Sequence, residues 1–142
     1  MKIDDLQEMI DKDSNLDRTK LSEHSLEIPN LSNKYHRILY DMARVKKRIQ
    51  NKIAILTRDL TDYYKGYASD EVYKNNPLNR KPSAGEIDSY IKSNENFQKL
   101  NTLLDDTVNK MFIVESFIKQ INQRSFLIKN VIEWEKFQNG GY

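Results

Sequence analysis

The chain of 142 residues has no cysteine, which excludes disulfides and thiolate metal ligands. It has only four glycines, and their spacing fits neither a Walker nor a Rossmann phosphate-binding loop, so we expect no nucleotide hydrolysis. The two histidines, His24 and His36, form no HExxH motif and no Ser/His/Asp arrangement. From these absences we expect a protein that is not an enzyme and has no catalytic residue, no metal site and no cofactor.

Long apolar runs are also missing. Nowhere do about eighteen uncharged apolar residues follow one another, and residues 1–5 lack the apolar segment of a signal peptide. We therefore expect a cytoplasmic protein with no membrane partner. The length allows one domain with a modest core. A composition of 38% hydrophobic and 31% charged residues favours extended helices that bury part of their apolar surface against other copies of the chain.

Residues 1–31 are predicted to form an acidic helical arm. They carry eight acidic and four basic residues, a net charge of −4. Within residues 3–12, four apolar side chains have the spacing of a short amphipathic helix. A second short helix is predicted from Thr19 to Leu26, and Pro29 with Asn30 predicts a break after it.

Residues 32–67 predict one long amphipathic helix that begins after Ser32 and is stopped by Gly66. Its apolar side chains recur at intervals of seven residues, at Tyr35, Met42, Ile49, Leu56 and Tyr63. A second apolar set completes a packing face typical of a helix in a bundle or coiled coil.

The same segment holds nine basic and three acidic residues, a net charge of +6. With about 100° of rotation per residue, most of the basic side chains lie on the side opposite the apolar face. Such a row of charges suits the phosphates of a single-stranded nucleic acid. The alternative is that the charges only solvate the outside of a coiled coil.

Residues 68–85 are predicted to be a loop, because they contain two prolines and three asparagines: Asn75, Asn76, Pro77, Asn79 and Pro82. A loop of this length is uncommon in a compact domain. We therefore expect either a mobile binding loop or a tether.

Residues 86–142 are predicted to be helical again, with a break at Ser93-Asn94 and an end at Gly140-Gly141. Their apolar face is too wide for one neighbouring helix to cover, which favours self-association. The fold class is thus predicted as all-α, with two long amphipathic helices and a short N-terminal helix, assembling into a homo-oligomeric helical ring. The side chains predicted to join protomers are Phe112, Phe117, Ile118, Ile121, Phe126, Ile128 and Ile132.

Three stretches of the chain resemble the UvsY recombination mediator proteins of large tailed phages. Near the start they are Asp5-Leu6-Gln7-Glu8, Asp17 and Thr19-Lys20-Leu21. In the middle they are Arg58, Asp62-Tyr63-Tyr64 and Gly66. Near the end they are Ile121, Arg124, Phe126, Ile128-Lys129, Phe137 and Gly140. Together these stretches span nearly the whole chain, although the centre from Val72 to Gly85 looks longer than in the family.

The resemblance implies a ring of six or seven copies that binds single-stranded DNA cooperatively in the infected host cell. It also implies two protein partners: the phage recombinase (UvsX), which the mediator loads, and the phage single-stranded-DNA-binding protein, which is displaced. The family has a Lys-x-Arg pair just before Asp-Tyr-Tyr, and Arg58 and Leu60 occupy those positions here, so one charge is lost. The residues predicted to contact DNA are Arg44, Lys47, Arg48, Lys52, Arg58, Tyr63, Tyr64 and Lys65.

Two other hypotheses remain open from the sequence. The first is a helical scaffold or coiled-coil adaptor in phage assembly, which would form a similar oligomer but would not bind DNA. The acidic arm of residues 1–31, in turn, either binds a basic partner or folds over the chain's own basic helix.

Overall fold

The computed structural model describes residues 1–140, and every regular element within them is helical. A single 3-10 turn, Arg18–Lys20, leads into the second helix. The helices are α1 (Ile3–Ser14), α2 (Leu21–Lys65), α3 (Asp70–Asn75), α4 (Ala84–Ser93) and α5 (Glu95–Gln138). The predicted all-α class, with two long helices and a short N-terminal one, is confirmed. Gly141, part of the predicted helix stop, lies outside the described residues.

The break predicted at Pro29-Asn30 is wrong, because α2 runs through both residues without interruption. Proline lacks a backbone N–H, and its place inside a helix costs about 3 kcal/mol. Ile28 and Leu31 lie on either side of this proline and pack against the core. Burial of such side chains offsets the missing hydrogen bond. The segment predicted as a separate short helix is therefore the first part of α2.

The prediction that residues 68–85 form a loop is also wrong in part, because α3 lies within them. Asp70 and Glu71 stand in the first turn of α3, where acidic side chains complement the helix dipole. Tyr73 then anchors α3 to the end of α2, since its hydroxyl donates a hydrogen bond of 2.6 Å to the carbonyl oxygen of Tyr63. Because this contact fixes α3 to the end of α2, the segment is not a free tether.

Two predicted helix boundaries are confirmed. α2 stops at Gly66, whose φ of +86° is a left-handed conformation that favours glycine. The backbone N–H of Tyr67 bonds to the carbonyl of Asp62 at 2.8 Å, and that of Gly66 bonds to Tyr63 at 3.2 Å, which is a Schellman motif. Between α4 and α5, the Asn94 side chain accepts a hydrogen bond from the backbone of Phe97 at 3.1 Å and so caps α5.

The chain forms two compact units, and α2 and α5 each contribute to both. The first unit consists of Met1–Ala43 together with the chain from Asn109 onward. Its core joins α1, the start of α2 and the second half of α5, and the ring of Tyr35 meets that of Phe117 edge to face at 4.7 Å. The buried core residues are Leu6, Ile10, Tyr35, Val114, Phe117, Ile118 and Ile121.

The second unit, Arg44–Val108, contains the rest of α2, all of α3 and α4, and the start of α5. Ile49 of α2 and Ile87 and Ile91 of α4 are its buried aliphatic side chains. A group of tyrosines lies near the C-terminal end of α2 in this unit. Across residues 1–140, no helix combines the length and the apolar character needed to cross a membrane.

Candidate nucleic-acid interface

The part of α2 that lies in the second unit presents a basic face. From Arg44 to Lys65 it rises about 32 Å at about 1.5 Å per residue. Ile49 is buried, and Ile53, Leu56 and Leu60 on the same side are half-buried. On the other side, within an arc of about 140° on an ideal helix, the six basic side chains predicted to contact DNA are all exposed. These residues, called the basic face below, are Arg44, Lys47, Arg48, Lys52, Arg58 and Lys65.

Not every lysine of the predicted basic helix belongs to this face. Lys46 lies on the packed side of α2 and is half-buried. Lys34 belongs to the first unit, where its ammonium group forms an ion pair with Asp13 at 2.7 Å. The acidic arm thus neutralises one charge of the predicted basic segment. Residues 44–65 still keep seven basic and two acidic side chains, a net charge of +5.

Arg58 is the residue that the resemblance favours most, and one carboxylate lies beside it. Its Nη2 atom is 3.2 Å from Oδ1 of Asp59, and the two side chains are 69% and 59% exposed. Ion pairs as exposed as this one contribute little free energy. A phosphate therefore competes readily for the guanidinium group of Arg58.

Tyr63 and Tyr64 belong to a tyrosine cluster formed with Tyr73 of α3 and Tyr90 of α4. The ring of Tyr63 stacks on that of Tyr73, with centroids 5.3 Å apart and an angle of 19° between planes. The ring of Tyr64 lies 5.1 Å from that of Tyr63 and 5.3 Å from that of Tyr90. One face of Tyr63 is therefore already covered by the chain itself. Burial, together with the neighbouring phenols of Tyr63 and Tyr90, raises the pKa of Tyr64 above its ordinary value.

The sequence pattern missed both partners in this cluster. Tyr73 lies in the segment predicted as a loop, and Tyr90 lies on a different helix, so no periodic spacing connects them to Tyr63. Tyr67, just beyond the end of α2, is 76% exposed. Its ring is more accessible for base stacking than the rings of Tyr63 and Tyr64, which are half-buried.

Lys81 is another basic residue that sequence reasoning missed. Its Nζ atom lies 3.8 Å from the point where a Cβ on Gly66 would stand, and the residue is exposed. The C-terminal end of a helix favours a cation because of the helix dipole. Lys81 thus adds positive charge at the end of α2. The sequence could not predict this, because the segment between Gly66 and Lys81 has to fold before the two residues lie side by side.

The seven side chains predicted to join protomers divide into two groups. Four of them are buried within the chain: Phe117, Ile118, Ile121 and Ile128. A side chain that is already enclosed by its own chain cannot present a contact surface to another copy. Phe112 and Phe126, each 69% exposed, and Ile132, 37% exposed, remain accessible.

Further exposed apolar side chains follow along the last turns of α5. Leu127 is 52% exposed, and Trp134 and Phe137 are 55% and 74% exposed. The rings of Trp134 and Phe137 stack on one another at 5.8 Å. The apolar face of α5, as the name is used below, consists of Phe126, Leu127, Trp134 and Phe137, which fall within an arc of about 100° on an ideal helix.

The fold is similar to that of known proteins, although no curated protein sequence matches the chain significantly. Three crystal structures of the bacteriophage T4 recombination mediator protein UvsY have similar folds. That of lattice type II has a TM-score of 0.87 at 21% identity and covers 98% of both chains. That of lattice type IV has a TM-score of 0.83 at 22% identity, over 97% of this chain and 99% of that one. That of lattice type I has a TM-score of 0.84 at 21% identity, over 94% and 98%.

At these identities the structural likeness establishes a shared fold. The evidence for the family is in the sequence. Residues 9–141 match the family described as "Recombination, repair and ssDNA binding protein UvsY", which is nearly the whole chain. This chain therefore belongs to the UvsY family, whose members are non-enzymatic recombination mediators that bind single-stranded DNA.

Proposed function

We propose that this chain binds single-stranded DNA along the basic face of α2 and loads the phage recombinase in place of the single-stranded-DNA-binding protein. The observation that carries the proposal is the row of six exposed basic side chains on one side of α2, in a chain of the UvsY family. The backbone phosphates are the part of the strand that such a row recognises, so binding is independent of sequence to first order.

The proposed active form is a closed ring of six or seven copies. Exposed residues of α5, above all Phe126 and Trp134, support this because apolar side chains with such exposure gain free energy when another copy covers them. A ring repeats the basic face around its circumference. Several weak sites joined in this way raise the affinity by about 10²-fold or more without any new type of contact.

To load the recombinase, the ring has to hold the single strand and also release it to the recombinase. Each contact between an exposed lysine or arginine and a phosphate is weak and is screened by salt. A strand that spans several basic faces is therefore held in an extended form through many contacts, each of which is easily exchanged. A recombinase filament can then take over the strand stepwise, while the ring excludes the single-stranded-DNA-binding protein from the same stretch.

Removal of two charges from the basic face tests the DNA-binding part. We expect Arg58→Ala with Lys65→Ala to weaken binding of a labelled oligothymidine, measured by fluorescence anisotropy at two salt concentrations. The slope of log affinity against log salt should decrease by roughly 0.7 for each phosphate that the variant no longer neutralises. The mass of the particle in solution should stay the same, because neither side chain is part of the apolar face of α5.

A charge-matched control lies in the same unit. Lys92 and Lys99 are exposed, and each is already paired with an acid one helical turn away, at 2.9 Å and 3.4 Å. Lys92→Ala with Lys99→Ala removes the same total charge and should leave the affinity and its salt slope close to those of the unmodified protein. Equal effects of the two double variants would reject the basic face as the binding surface.

The loading step is tested with the two protein partners. Oligothymidine is first covered with the phage single-stranded-DNA-binding protein, and the phage recombinase is then added with and without this chain. We expect the recombinase to assemble on the strand only in the presence of this chain, as measured by release of the labelled single-stranded-DNA-binding protein. The scaffold hypothesis predicts the same oligomer with no salt-sensitive DNA affinity, and membership of a single-stranded-DNA-binding family argues against it.

A further inference from the structure

A cavity of about 430 Å³ opens beside the last turns of α2, within the second unit. Leu60, Tyr63 and Tyr64 of α2 line it on one side, and Val72 of α3 lines it on another. The volume falls in the range of small-molecule sites, and walls made of phenol rings and aliphatic groups suit a flat, weakly polar ring.

The other residues that line the cavity carry polar side chains: Asp59, Asn76, Asn94 and Asn96. The amide of Asn96 is exposed and makes no hydrogen bond to the residues that the structure describes. The side-chain oxygen of Asn94 is occupied by the N–H of Phe97, so its NH2 group remains as a donor. Oδ1 of Asp59 accepts hydrogen bonds from Arg58, and its Oδ2 atom remains as an acceptor beside these amide donors.

This combination of groups selects against a phosphate. The carboxylate of Asp59 repels an anion, whereas amides and a carboxylate together match the donors and acceptors on the edge of a nucleobase. Location supports the same ligand, because Arg58 of the basic face lies beside the cavity. Its Nη2 atom is 3.2 Å from Oδ1 of Asp59, which lines the cavity. A strand bound to Arg58 therefore has a base within reach of the opening of the cavity.

The walls of the cavity are held in place before any ligand arrives. Tyr63 stacks on Tyr73 at 5.3 Å, and its hydroxyl donates a hydrogen bond of 3.0 Å to the backbone oxygen of Asn76. The hydroxyl of Tyr73 donates to the backbone of Tyr63 in return. α2 and α3 are thus tied together at this point, and a preformed site loses little entropy when it binds.

We propose that this cavity receives one unpaired base of the bound strand and prefers a base with an exocyclic amino group. This inference rests on the proposed binding of single-stranded DNA, and adds base recognition to the backbone contacts of the basic face. The amino group donates to the carboxylate of Asp59, and Asn96 donates to a ring nitrogen or carbonyl of the same base. Cytosine offers the amino donor, whereas thymine presents an oxygen at the equivalent position.

The test compares oligodeoxycytidine with oligothymidine of equal length, by fluorescence anisotropy in the same buffer. Both strands are flexible pyrimidine polymers with identical backbones, so the ratio of their affinities isolates the contribution of the base. We expect the unmodified protein to bind oligodeoxycytidine about fivefold more tightly. Asn96→Ala and Asp59→Asn should each bring this ratio toward one.

Asn101→Ala is the matched control, since Asn101 is an exposed residue of α5 that does not line the cavity. It should keep the preference. Val72→Trp, which fills the cavity from α3, should abolish it while circular dichroism shows an unchanged helix content. Equal affinities for the two strands in the unmodified protein, or a preference that survives Asn96→Ala and Val72→Trp, would overturn the inference. Failure to bind either strand would instead overturn the proposed function itself.

Discussion

At the scale of single residues, Asp13 organises the end of α1. Its Oδ2 atom accepts hydrogen bonds of 2.7 Å from Nζ of Lys34 and from the hydroxyl of Tyr35. Its backbone oxygen accepts one of 2.8 Å from Arg124, whose side chain is buried. Burial alone would raise the pKa of Asp13, but the hydrogen bonds from Lys34 and Tyr35 outweigh it and hold this pKa below its usual value.

Asp13→Asn should therefore destabilise the protein by about 1 to 3 kcal/mol at neutral pH. Because the pKa is lower in the folded state, the carboxylate stabilises the fold above the unfolded-state pKa of about 3.9. This stabilisation is lost as the pH falls through the lower folded-state value. Urea unfolding at several pH values measures the effect, and the curves of the variant and the unmodified protein should converge in strong acid.

The matched control for this prediction is Asp11→Asn. Asp11 is an exposed residue of the same helix whose carboxylate accepts one hydrogen bond of 3.0 Å from Gln7. Its substitution should change the free energy of unfolding by less than about 0.5 kcal/mol. Equal effects of the two substitutions would show that the network around Asp13 adds no stability.

At the scale of elements, the C-terminal end of α2 carries residues of the tyrosine cluster, of the cavity wall and of the basic face. The chain turns there at Gly66, in a left-handed conformation. An added Cβ would meet only Nζ and Cε of Lys81, at 3.8 and 4.0 Å, which is ordinary contact. Glycine is therefore favoured at this position because of its backbone conformation, and not because a larger side chain would clash.

Gly66→Ala should lower the free energy of unfolding by about 1 kcal/mol, because an L-residue pays that cost in the left-handed region. Gly85→Ala should instead raise the free energy of unfolding. Gly85 is the second residue of α4, and nothing would lie within 4 Å of its Cβ. Alanine is favoured over glycine by about 0.5 to 1 kcal/mol in the middle of a helix, so the gain in this first turn is at most about 0.5 kcal/mol. Urea unfolding of both variants checks the pair, and a neutral or stabilising Gly66→Ala would contradict the assigned turn.

At the scale of the whole molecule, the apolar face of α5 is the surface that the proposed ring would bury. Phe126 and Trp134 are 69% and 55% exposed, which is far more than a side chain in a protein core. Exposed clusters of large apolar side chains mark association surfaces. Ile121 and Ile128 are buried, so their replacement would disturb packing inside the chain and would not isolate an effect on assembly.

If the proposed ring forms through this face, Phe126→Asp with Trp134→Asp should convert it into monomers or small species, as measured by light scattering after gel filtration. Helix content should be retained, because both side chains are exposed within the chain. Leu26→Asp is the control, since Leu26 is 81% exposed on α2 and lies outside the apolar face of α5. A particle of unchanged mass in the double variant would assign the assembly to another surface.

The sequence alone determined the features that depend on neighbours along the chain. Apolar spacing identified the two long helices, Gly66 identified the end of α2, and Ser93-Asn94 identified the boundary before α5. The basic face could be predicted for the same reason, since helical rotation relates residues of one element to one another. The family resemblance, too, lay in short stretches that are recognised from the identity and order of their residues.

Tertiary structure alone decided what depends on residues far apart in the chain. Packing of Ile28 and Leu31 against the core stabilises α2 on either side of Pro29. The hydrogen bond from Tyr73 to Tyr63 stabilises a helix within the segment that was predicted to be a loop. Arg124 bonds to a backbone oxygen 111 residues away. Periodicity shows that a helix face is apolar, but only the fold shows which side chains the chain covers itself. For α5 the fold separated Phe117 and Ile121, which are buried in the core, from Phe126 and Trp134, which remain exposed.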